Sequence, residues 1–427
     1  MNETQRSAVA AAAGFEQVTL DNGLTVLVRP MPGFTGLHAV YGTNFGSIDR
    51  AFTLDGKRYD LPAGIAHFLE HKMFENEEGD AFTLYAKTGA NANAFTSFDK
   101  TCYVFTASGH TDENLDILLG FVSRPYFTAA TVAKEQGIIG QEIKMYDDSA
   151  EWRLMFAMFQ CLYHAHPLRD DIAGSVESIS EITPELLYAC TDAFYRPQNM
   201  ALAVAGNVTM QQVLAAVARA QIVKKEGAVA RIAPKEPADA ARARMEFSMA
   251  VAKPLLGLGF KLTPPAEADA LKRELAAELA CELVCGSMTP LYRRLYDENL
   301  VDAGFSGEVM SLPGAFNLMF GGETAQPETV RGLLLAEIGR LQREGVDEEL
   351  FTLCKNQRYG ELVGDLETVD DAATGLLSSY FRGRTPAMEL DALAALQRAD
   401  VEAVLQLLLW PGRSATVIIT PLEGEKE

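Results

Sequence analysis

Positive charge is scarce in this sequence of 427 residues. Lysine and arginine together number 37, against 58 aspartates and glutamates, which gives a formal net charge of −21. A protein with this charge repels phosphate backbones, so the composition argues against nucleic-acid binding. Hydrophobic residues make up 48% and charged residues 22% of the chain, proportions typical of globular proteins and unlike those of disordered chains.

Cysteine pairs and long apolar runs are also lacking, and each absence excludes a class of protein. The six cysteines form no C-x-x-C pair in a chain far longer than a disulfide-stapled scaffold, so we expect free, buried thiols in a reducing compartment. No apolar run approaches the ~18 residues of a membrane-spanning helix. Residues 1–14 lack the features of a signal peptide and are interpreted as a solvated arm. Together these features predict a cytoplasmic protein.

Strand and helix patterns follow one another without the regular repeat of a doubly wound sheet. Asn22 and Gly23 lie between β-rich apolar segments and predict a hairpin in which both central residues have positive φ. Residues 94–108 predict strand, because they are rich in aromatic and β-branched side chains, whereas residues 63–75 and 131–145 predict helices. The sequence therefore predicts an α+β fold.

A change in composition divides the chain into two parts of ordinary domain size. Residues 226–244 carry charge and proline but little that could be buried, and we interpret them as a linker. The order of strand and helix patterns after the linker resembles the order before it, which indicates an internal duplication. We therefore predict two domains, residues 1–225 and residues 245–427. Near the end of the second domain, residues 390–408 predict one long helix.

All six histidines lie at or before position 166, and two of them belong to the motif HFLEH at residues 67–71. Residues four apart share one face of a helix, so His67 and His71 point the same way, with Glu70 at the border of that face. Two imidazoles and a carboxylate suit zinc with a general base beside it, and this order is the inverzincin signature. The alternative is a helix that simply carries two partly exposed histidines.

A catalytic zinc site usually has three protein ligands and a water, so we expect a further carboxylate on another element. The helix pattern from Thr131 offers Glu135 and Glu142, which lie seven residues or about two turns apart and therefore point the same way. One of them can bind zinc while the other orients a ligand from behind. The residue types alone are also compatible with a solvated helix face.

These motifs resemble the pitrilysin/insulinase family of zinc metallopeptidases, which includes the mitochondrial processing peptidases. In that family H-x-x-E-H is followed by two glutamates seven apart, and the second is the third zinc ligand; here His71 and Glu142 are 71 residues apart. The resemblance implies that His67, His71 and Glu142 bind one Zn²⁺. It also implies that Glu70 is the general base and that Glu135 supports the ligands. The implied fold is two homologous domains, each a mostly antiparallel sheet packed with helices, as in the processing peptidases.

A second stretch is similar to the edge strand on which this family binds its substrate. The resemblance implies that the substrate contacts Asn93, Ala94, Phe95 and Thr96. An extended peptide added at a sheet edge gains affinity from main-chain hydrogen bonds. The similarity is strong over residues 16–210, where the pattern is most like the half-length bacterial YmfH-like branch, and weaker over residues 245–420, which resemble the inactive repeat.

The second half departs from the family pattern. Many active relatives carry an arginine and a tyrosine there that help to bind the substrate, whereas residues 297–304 contain neither. The second half also has no histidine and cannot hold another site of this kind. We therefore expect this chain to supply the zinc half of a chamber, completed by a homologous subunit that lacks the zinc motif. A homodimer is the alternative.

The function that these features predict is zinc-dependent hydrolysis of extended peptides or small unfolded proteins. In this interpretation Glu70 takes a proton from zinc-bound water and passes it to the leaving amine. The alternatives are a non-catalytic scaffold, as some relatives have become, and an accessory factor of a protein-modification pathway. The presence of all three ligands and the base favours the peptidase. Its expected partners are the peptide and a second subunit, and neither a nucleic acid nor a membrane.

Overall fold

The computed structural model describes residues 14–77 and 79–422, so the predicted solvated arm, residues 1–14, lies outside the described part except for Gly14. The chain forms two compact units. The first comprises the described residues of Met1–Ile143 together with Asp171–Ile232 and Glu361–Leu390. The second comprises Lys144–Asp170, Ala233–Gly360 and the described residues of Asp391–Glu427. None of the helices in the described residues has the length and apolar character that a membrane span requires.

The elements are numbered in chain order within the described residues. The strands are β1 (Glu16–Thr19), β2 (Thr25–Pro30), β3 (Leu37–Thr43), β4 (Ala51–Leu54), β5 (Lys57–Asp60), β6 (Glu75–Asn76), β7 (Gly79–Asp80), β8 (Asn91–Thr96), β9 (Thr101–Ala107), β10 (Met200–Gly206), β11 (Val229–Arg231), β12 (Arg244–Met249), β13 (Leu255–Leu262), β14 (Ser306–Leu312), β15 (Ala315–Glu323) and β16 (Ser414–Pro421). The α-helices are α1 (Ile65–Met73), α2 (Ala81–Thr88), α3 (Thr111–Ser123), α4 (Ala129–Asp147), α5 (Ala150–Leu162), α6 (Val176–Ser180), α7 (Pro184–Phe194), α8 (Met210–Ala220), α9 (Ala270–Cys285), α10 (Pro290–Asp297), α11 (Pro327–Glu344), α12 (Glu348–Gly364), α13 (Val369–Phe381), α14 (Pro386–Ala395) and α15 (Arg398–Leu408).

The first unit is built around a six-stranded sheet with the order β1-β2-β10-β3-β9-β8. All neighbouring strands are antiparallel except β2 and β10, which are parallel. The middle strands β3 and β10 are buried along their whole length, as expected of strands covered on both faces. Strand β8 lies at the edge, where it pairs with β9 on one side.

The second unit repeats this plan in a five-stranded sheet with the order β12-β16-β13-β15-β14. Its one parallel pair is β12 with β16, and the other pairs are antiparallel. When β1 is left out, the strands of the first sheet lie in the same spatial order. In both sheets the first strand in chain order is followed by the last, the second, the fourth and the third. The helices match too, since α1 and α2 lie between β3 and β8 as α9 and α10 lie between β13 and β14. The predicted α+β fold with two mostly antiparallel sheets is confirmed.

Two helices pack on the sheet of the other half of the sequence. Helix α5 lies within the first half of the sequence but belongs to the second unit, where Met158 lies against Gly259 of β13. Helix α13 lies within the second half of the sequence but belongs to the first unit, where Leu377 lies against Gly42 of β3. A Cβ at either glycine would lie 2.5 Å from the opposing side chain, so the glycines permit this close approach. The units are therefore discontinuous in sequence, and the domain limits 1–225 and 245–427 stay a prediction for the two repeats.

The first hairpin forms at the predicted place but with a different turn. Gly23 has a φ of 91°, whereas Asn22 is absent from the residues with positive φ. The Asn22 side chain bonds instead with its surroundings: Oδ1 accepts from the Leu24 N–H at 3.0 Å, and Nδ2 donates to the carbonyl oxygen of Ile222 at 2.8 Å. The prediction of positive φ at both central residues was therefore wrong, because side-chain hydrogen bonds select another turn.

The segment predicted as a linker is tied down by hydrogen bonds that its composition does not indicate. Within residues 226–244, strand β11 pairs with β4, and the side chain of Glu236 is 10% exposed. Glu236 accepts hydrogen bonds from the backbone N–H groups of residues 164–166 and from Nζ of Lys261. A buried carboxylate, rather than an apolar side chain, holds the middle of this segment in place.

The predicted long helix over residues 390–408 is two helices, α14 and α15. Leu396 and Gln397 separate them, and the Gln397 N–H donates to Oδ2 of Asp400 at 3.0 Å. A side-chain acceptor at this position begins a new helix, which an apolar pattern alone does not show. The six cysteines are free and buried, as predicted.

Candidate metal centre

Helix α1 carries the HFLEH motif into the interior of the first unit. It begins after Gly64, which has a φ of 88° and lies so close to the carbonyl oxygen of Ala173 that a side chain has no room there. Every residue of α1 except His71 is buried. The His67 side chain is 10% exposed and that of His71 is 26% exposed, so both imidazoles lie at the border between the core and a cleft.

Helix α4 brings Glu142 opposite both histidines. Its Oε1 lies 3.6 Å from Nε2 of His67, and its Oε2 lies 3.4 Å from Nε2 of His71. One ligand atom from each of the three residues lies within 4.8 Å of the other two, and no other such group of three was found in the described part of the chain. Ligands of a tetrahedral zinc site, bound at ~2.0–2.1 Å, are roughly 3.3 Å apart. The donor set and its spacing therefore fit Zn²⁺ with small adjustments.

Glu135, two turns before Glu142 on α4, contacts His71 from the other side. Its Oε1 lies 3.1 Å from Nδ1 of His71. Burial alone would raise the pKa of Glu135, but the hydrogen bond and charge of His71 hold this pKa below its ordinary value. An ionised carboxylate only accepts hydrogen bonds, so the Nδ1 of His71 carries a proton and its Nε2 faces Glu142.

The same carboxylates determine the protonation of His71. Burial alone would lower the pKa of His71, but the hydrogen bond to Glu135 and the charges of Glu70 and Glu142 raise it above its ordinary value. A cation bound at Nε2 takes the place of that second proton. The site thus attracts positive charge, either as a proton or as a metal ion.

Glu70 is buried beside the two histidines, with 8% of its surface exposed. Burial is the main cause that raises the pKa of Glu70, against the opposing charges of His67 and His71. The hydroxyl of Thr96 donates to Oε2 of Glu70 at 2.8 Å and fixes the direction of the carboxylate. A carboxylate with a raised pKa is better suited to exchange protons near neutral pH.

Strand β8 places the predicted substrate residues at the open edge of the sheet. The Ser97 N–H donates to the Lys100 carbonyl oxygen at 2.8 Å, and from this bond the alternation of antiparallel pairing directs the main-chain groups of Ala94 and Thr96 outward. No strand of the described residues pairs with this edge. In place of a strand, the side chain of Asn93 accepts the Ala94 N–H at 2.9 Å.

A cleft of about 660 Å³ lies over these groups. Its lining includes Glu70, His71 and Glu135 from the motif helices and Asn93 and Ala94 from β8. The acid–base group, a candidate ligand and the sheet edge therefore open into one space.

The four predicted substrate residues have different surroundings. Asn93 and Ala94 line the cleft, whereas Thr96 bonds to Glu70. Phe95 packs against the apolar cluster that also contains Leu377 of α13. A substrate contact of Phe95 through its side chain has no support in this arrangement, and its main-chain groups face β9.

Sequence reasoning missed two apolar side chains beside the cleft. Phe82 of α2 is 44% exposed and Ile138 of α4 is 47% exposed, and both line the same space. Ile138 lies three residues after Glu135 and four before Glu142, so the helical spacing that aligns the glutamates could have placed it there. No comparable signal exists for Phe82.

Comparisons with known proteins agree with this geometry. Residues 55–176 match the insulinase family, peptidase family M16, and residues 181–358 match the peptidase M16 inactive domain. A Bacillus subtilis protein named as the uncharacterized zinc protease YmfH is 37% identical over 397 residues, which is 91% of this chain and 92% of that protein. The chain belongs to the insulinase family, peptidase family M16. The predicted resemblance, including its half-length YmfH-like branch, is confirmed.

Solved structures extend the M16 comparison to the whole fold. An M16-like peptidase from Alicyclobacillus acidocaldarius is 32% identical with a TM-score of 0.92, over 96% of this chain and 98% of that chain. A protease from Helicobacter pylori shares the fold at 22% identity, with a TM-score of 0.81 over 96% and 99% of the two chains. Other relatives named zinc proteases match over about half of their length.

Proposed function

We propose that this M16 chain is a zinc-dependent endopeptidase acting on extended peptides or small unfolded proteins. The observation that carries the proposal is the convergence of His67, His71 and Glu142 beside the buried Glu70. Relatives named zinc proteases support the same reaction class. The geometry does not favour the scaffold or accessory-factor alternatives, because neither needs this combination of ligands, base and open cleft.

The chemistry divides between the metal and the side chains around it. Zinc held by His67, His71 and Glu142 would supply Lewis acidity and lower the pKa of a coordinated water from 15.7 towards ~7. Thr96 occupies Oε2 of Glu70, so Oε1 is the atom that accepts a proton and later returns it to the leaving amine nitrogen. Glu135 holds the His71 ring in the orientation that directs Nε2 to the ligand site.

The proposed substrate is an extended chain added to β8. Outward main-chain groups of Ala94 and Thr96 would pair with it, and a substrate carbonyl would replace the Asn93 side chain at the Ala94 N–H. Affinity then comes mainly from the backbone, which gives modest sequence preference. The apolar Phe82 and Ile138 add a preference for large apolar side chains near the cleft.

We propose further that a homologous subunit without the zinc motif completes the chamber, with a homodimer as the alternative. The match of residues 181–358 to the M16 inactive domain supports this arrangement. The lack of arginine and tyrosine in residues 297–304 supports it too. A cytoplasmic location and the absence of nucleic-acid and membrane partners stay predictions.

The test is zinc content and cleavage of a quenched peptide by the purified chain beside the Glu70→Gln variant. We expect about one zinc per chain in both proteins and a loss of cleavage of about 10²–10⁴-fold in the variant, the usual contribution of a general base. Glu77→Gln, which removes an exposed carboxylate from the same cleft, is the matched control and should retain zinc and cleavage.

Two outcomes would count against the proposal. A folded chain that binds no zinc from an excess of the metal would contradict the metal centre. Zinc binding without cleavage, both alone and after addition of a zinc-less homologous subunit, would contradict the endopeptidase and favour a non-catalytic role.

A further inference from the structure

A groove of about 620 Å³ lies entirely within the second unit, between the start of α5 and the sheet. Its apolar lining includes Leu154, Met155 and Met158 of α5 together with Leu255 and Met319 of the sheet. This volume is in the range of ligand sites, about 300–1,000 Å³. None of the residues assigned to the metal centre or to its cleft lines this groove.

Glycines in the sheet create the space. Gly257 and Gly321 lie side by side on β13 and β15, and neither supplies a side chain to the groove. A Cβ at Gly257 would meet Leu154 and Met158 at 3.1–3.2 Å, whereas one at Gly321 would lie 3.3 Å from the carbonyl oxygen of Leu256 and 3.5 Å from Leu154. A side chain at position 321 therefore needs a shift of a few tenths of an ångström and would then fill the groove.

Negative charge surrounds the apolar lining without an opposing positive side chain. The lining includes four carboxylates, those of Glu151, Asp302, Glu308 and Glu323, and it includes no lysine, arginine or histidine. Glu308 is exposed in the wall of the groove, and partial desolvation there raises the pKa of its carboxyl group. The groove thus combines an apolar floor with a field that attracts a cation.

The wall of the groove includes a fixed aromatic ring. Trp152 stacks on Tyr146 with ring centroids 4.8 Å apart and an interplanar angle of 19°. An indole face attracts ammonium and guanidinium groups, and the flexible methionines adapt to varied apolar side chains.

We propose that this groove binds a basic, apolar segment of the peptide substrate, with a lysine or arginine side chain among the carboxylates and an apolar neighbour on the methionines. The identity of the occupant as a substrate rests on the proposed peptidase function. Charge complementarity selects the occupant: a cationic side chain meets four carboxylates, and its apolar neighbour meets the floor. A concave space of this size suits a short peptide segment better than the flat contact of two copies of the chain.

The sequence provides a local reporter, because Trp152 and Trp410 are the two tryptophans of the chain. The full-length protein with Trp410→Phe and Glu70→Gln reports on the groove through Trp152 and leaves the probe intact. The probe is acetyl-Leu-Lys-Leu-Lys-Leu-amide, compared with peptides that carry norleucine or glutamate in place of lysine. We expect the lysine peptide to change Trp152 emission saturably. The affinity of the norleucine peptide should be lower by at least about ten-fold, and the glutamate peptide should give no change.

Variants of the groove separate charge from shape. The double variant Asp302→Asn with Glu308→Gln should lower the affinity for the lysine peptide about ten-fold, because each lost exposed ion pair costs about three-fold. Added salt should lower the affinity further. Gly321→Leu should remove binding by filling the space. Glu349→Gln removes an exposed carboxylate elsewhere in the second unit and is the matched control. Urea unfolding establishes that each variant is folded.

Three results would overturn the proposal. The first is equal binding of the lysine, norleucine and glutamate peptides. The second is unchanged lysine-peptide binding in folded groove variants. The third is a dimer, seen by light scattering, that the groove variants dissociate while the peptides give no response, which would make the groove an interface between copies. If the lysine peptide binds but the wild-type chain cleaves no peptide, the groove proposal is supported and only the proposed endopeptidase function is contradicted.

Discussion

The two large sheets share a strand order, but their matching helices are joined by different chemistry. In the first unit α1 meets α4 through the histidines, with His71 between Glu135 and Glu142. In the second unit α9 matches α1, and α12 matches α4 because each is the second helix after the fourth strand of its repeat. Between them Arg358 donates to Glu278 at 2.9 Å. Each pair of helices is therefore joined by a polar bridge at the same place in the topology. In the second unit an arginine of the protein supplies the positive charge of that bridge, whereas in the first unit the bridge is suited to an added cation.

Charge explains the difference between the bridges. The first places three carboxylates, Glu70, Glu135 and Glu142, against two imidazoles, which carry no permanent positive charge. The second pairs a carboxylate with a guanidinium, and elsewhere in the same unit Glu236 pairs with Lys261. Buried carboxylates need a cation or hydrogen bonds to offset desolvation. In the second unit the protein itself supplies those partners, as side chains and backbone N–H groups, whereas the first unit has a donor set that fits zinc.

The largest difference between the two bridges is expected when His71 is replaced. His71→Ala should lower zinc affinity by more than about a hundred-fold and abolish cleavage, because removing a supporting group alone costs about 10–100-fold. Competition with a chromophoric chelator measures the affinity, and a quenched peptide measures the cleavage. His110→Asn is the control: His110 has a φ of 54°, which asparagine tolerates, and it lies outside the site. Wild-type zinc affinity in His71→Ala would disprove the assigned ligand.

The sequence predicted the centre of this site because its parts depend on local spacing. Four-residue and seven-residue intervals on helices align His67 with His71 and Glu135 with Glu142 wherever the helices lie. The edge position of residues 93–96 followed from a strand-like composition and the family resemblance. These features need no knowledge of long-range contacts.

The remaining features depend on contacts that no local pattern encodes. The bond from Thr96 to Glu70 exists only once β8 and α1 lie together. The exchange of α5 and α13 between units, and the burial of Glu236 in a segment that reads as linker, join residues distant in sequence. The turn at Asn22 is likewise set by its bond to Ile222, 200 residues away.

Replacement of Glu236 tests whether the ion pairs of the second unit stabilise its buried charges. Glu236→Gln should lower the free energy of unfolding by about 3 kcal/mol, the low end of the cost of removing one partner from a buried ion pair. Urea unfolding at neutral pH measures this change. Glu349→Gln, an exposed carboxylate of the same unit, should change stability by less than about 0.5 kcal/mol. An equal loss in both variants would show that the buried pair contributes nothing specific.

Acidification provides a second measure of the same pair. Burial opposes ionisation of Glu236, but Lys261 and the three backbone N–H groups outweigh it and lower its pKa to about 2, from an ordinary value of 4.5. A lowered folded-state pKa means that the contribution is complete above pH 4.5 and is lost as the pH falls towards about 2. The Glu236→Gln variant should therefore lose less stability over this interval than the parent chain does. Parallel losses would contradict the assignment.

Glu135 sharpens the comparison within the first unit, because it supports a ligand without being one. Glu135→Gln should lower zinc affinity about ten-fold, at the lower end of the effect of an outer carboxylate. In the metal-free chain it should also lower the pKa of His71, which Glu135 raises, and an NMR titration of the imidazole measures that shift. Asp147→Asn, on the exposed end of the same helix, is the control. An unchanged His71 pKa would show that the hydrogen bond does not form in solution.

The smallest effect is expected where the second bridge is removed. The side chains of Arg358 and Glu278 are 29% and 26% exposed, so water already solvates part of the pair. Arg358→Met with Glu278→Gln should cost about 0.5–1 kcal/mol of unfolding free energy, as partly exposed ion pairs do, and leave zinc content unchanged. Two readouts on one variant separate the bridges: urea unfolding reports on the second unit, and chelator competition reports on the first. A loss of zinc in this variant would show that the two bridges are coupled. The distinction between a bridge formed by side chains alone and one completed by a metal ion would then fail.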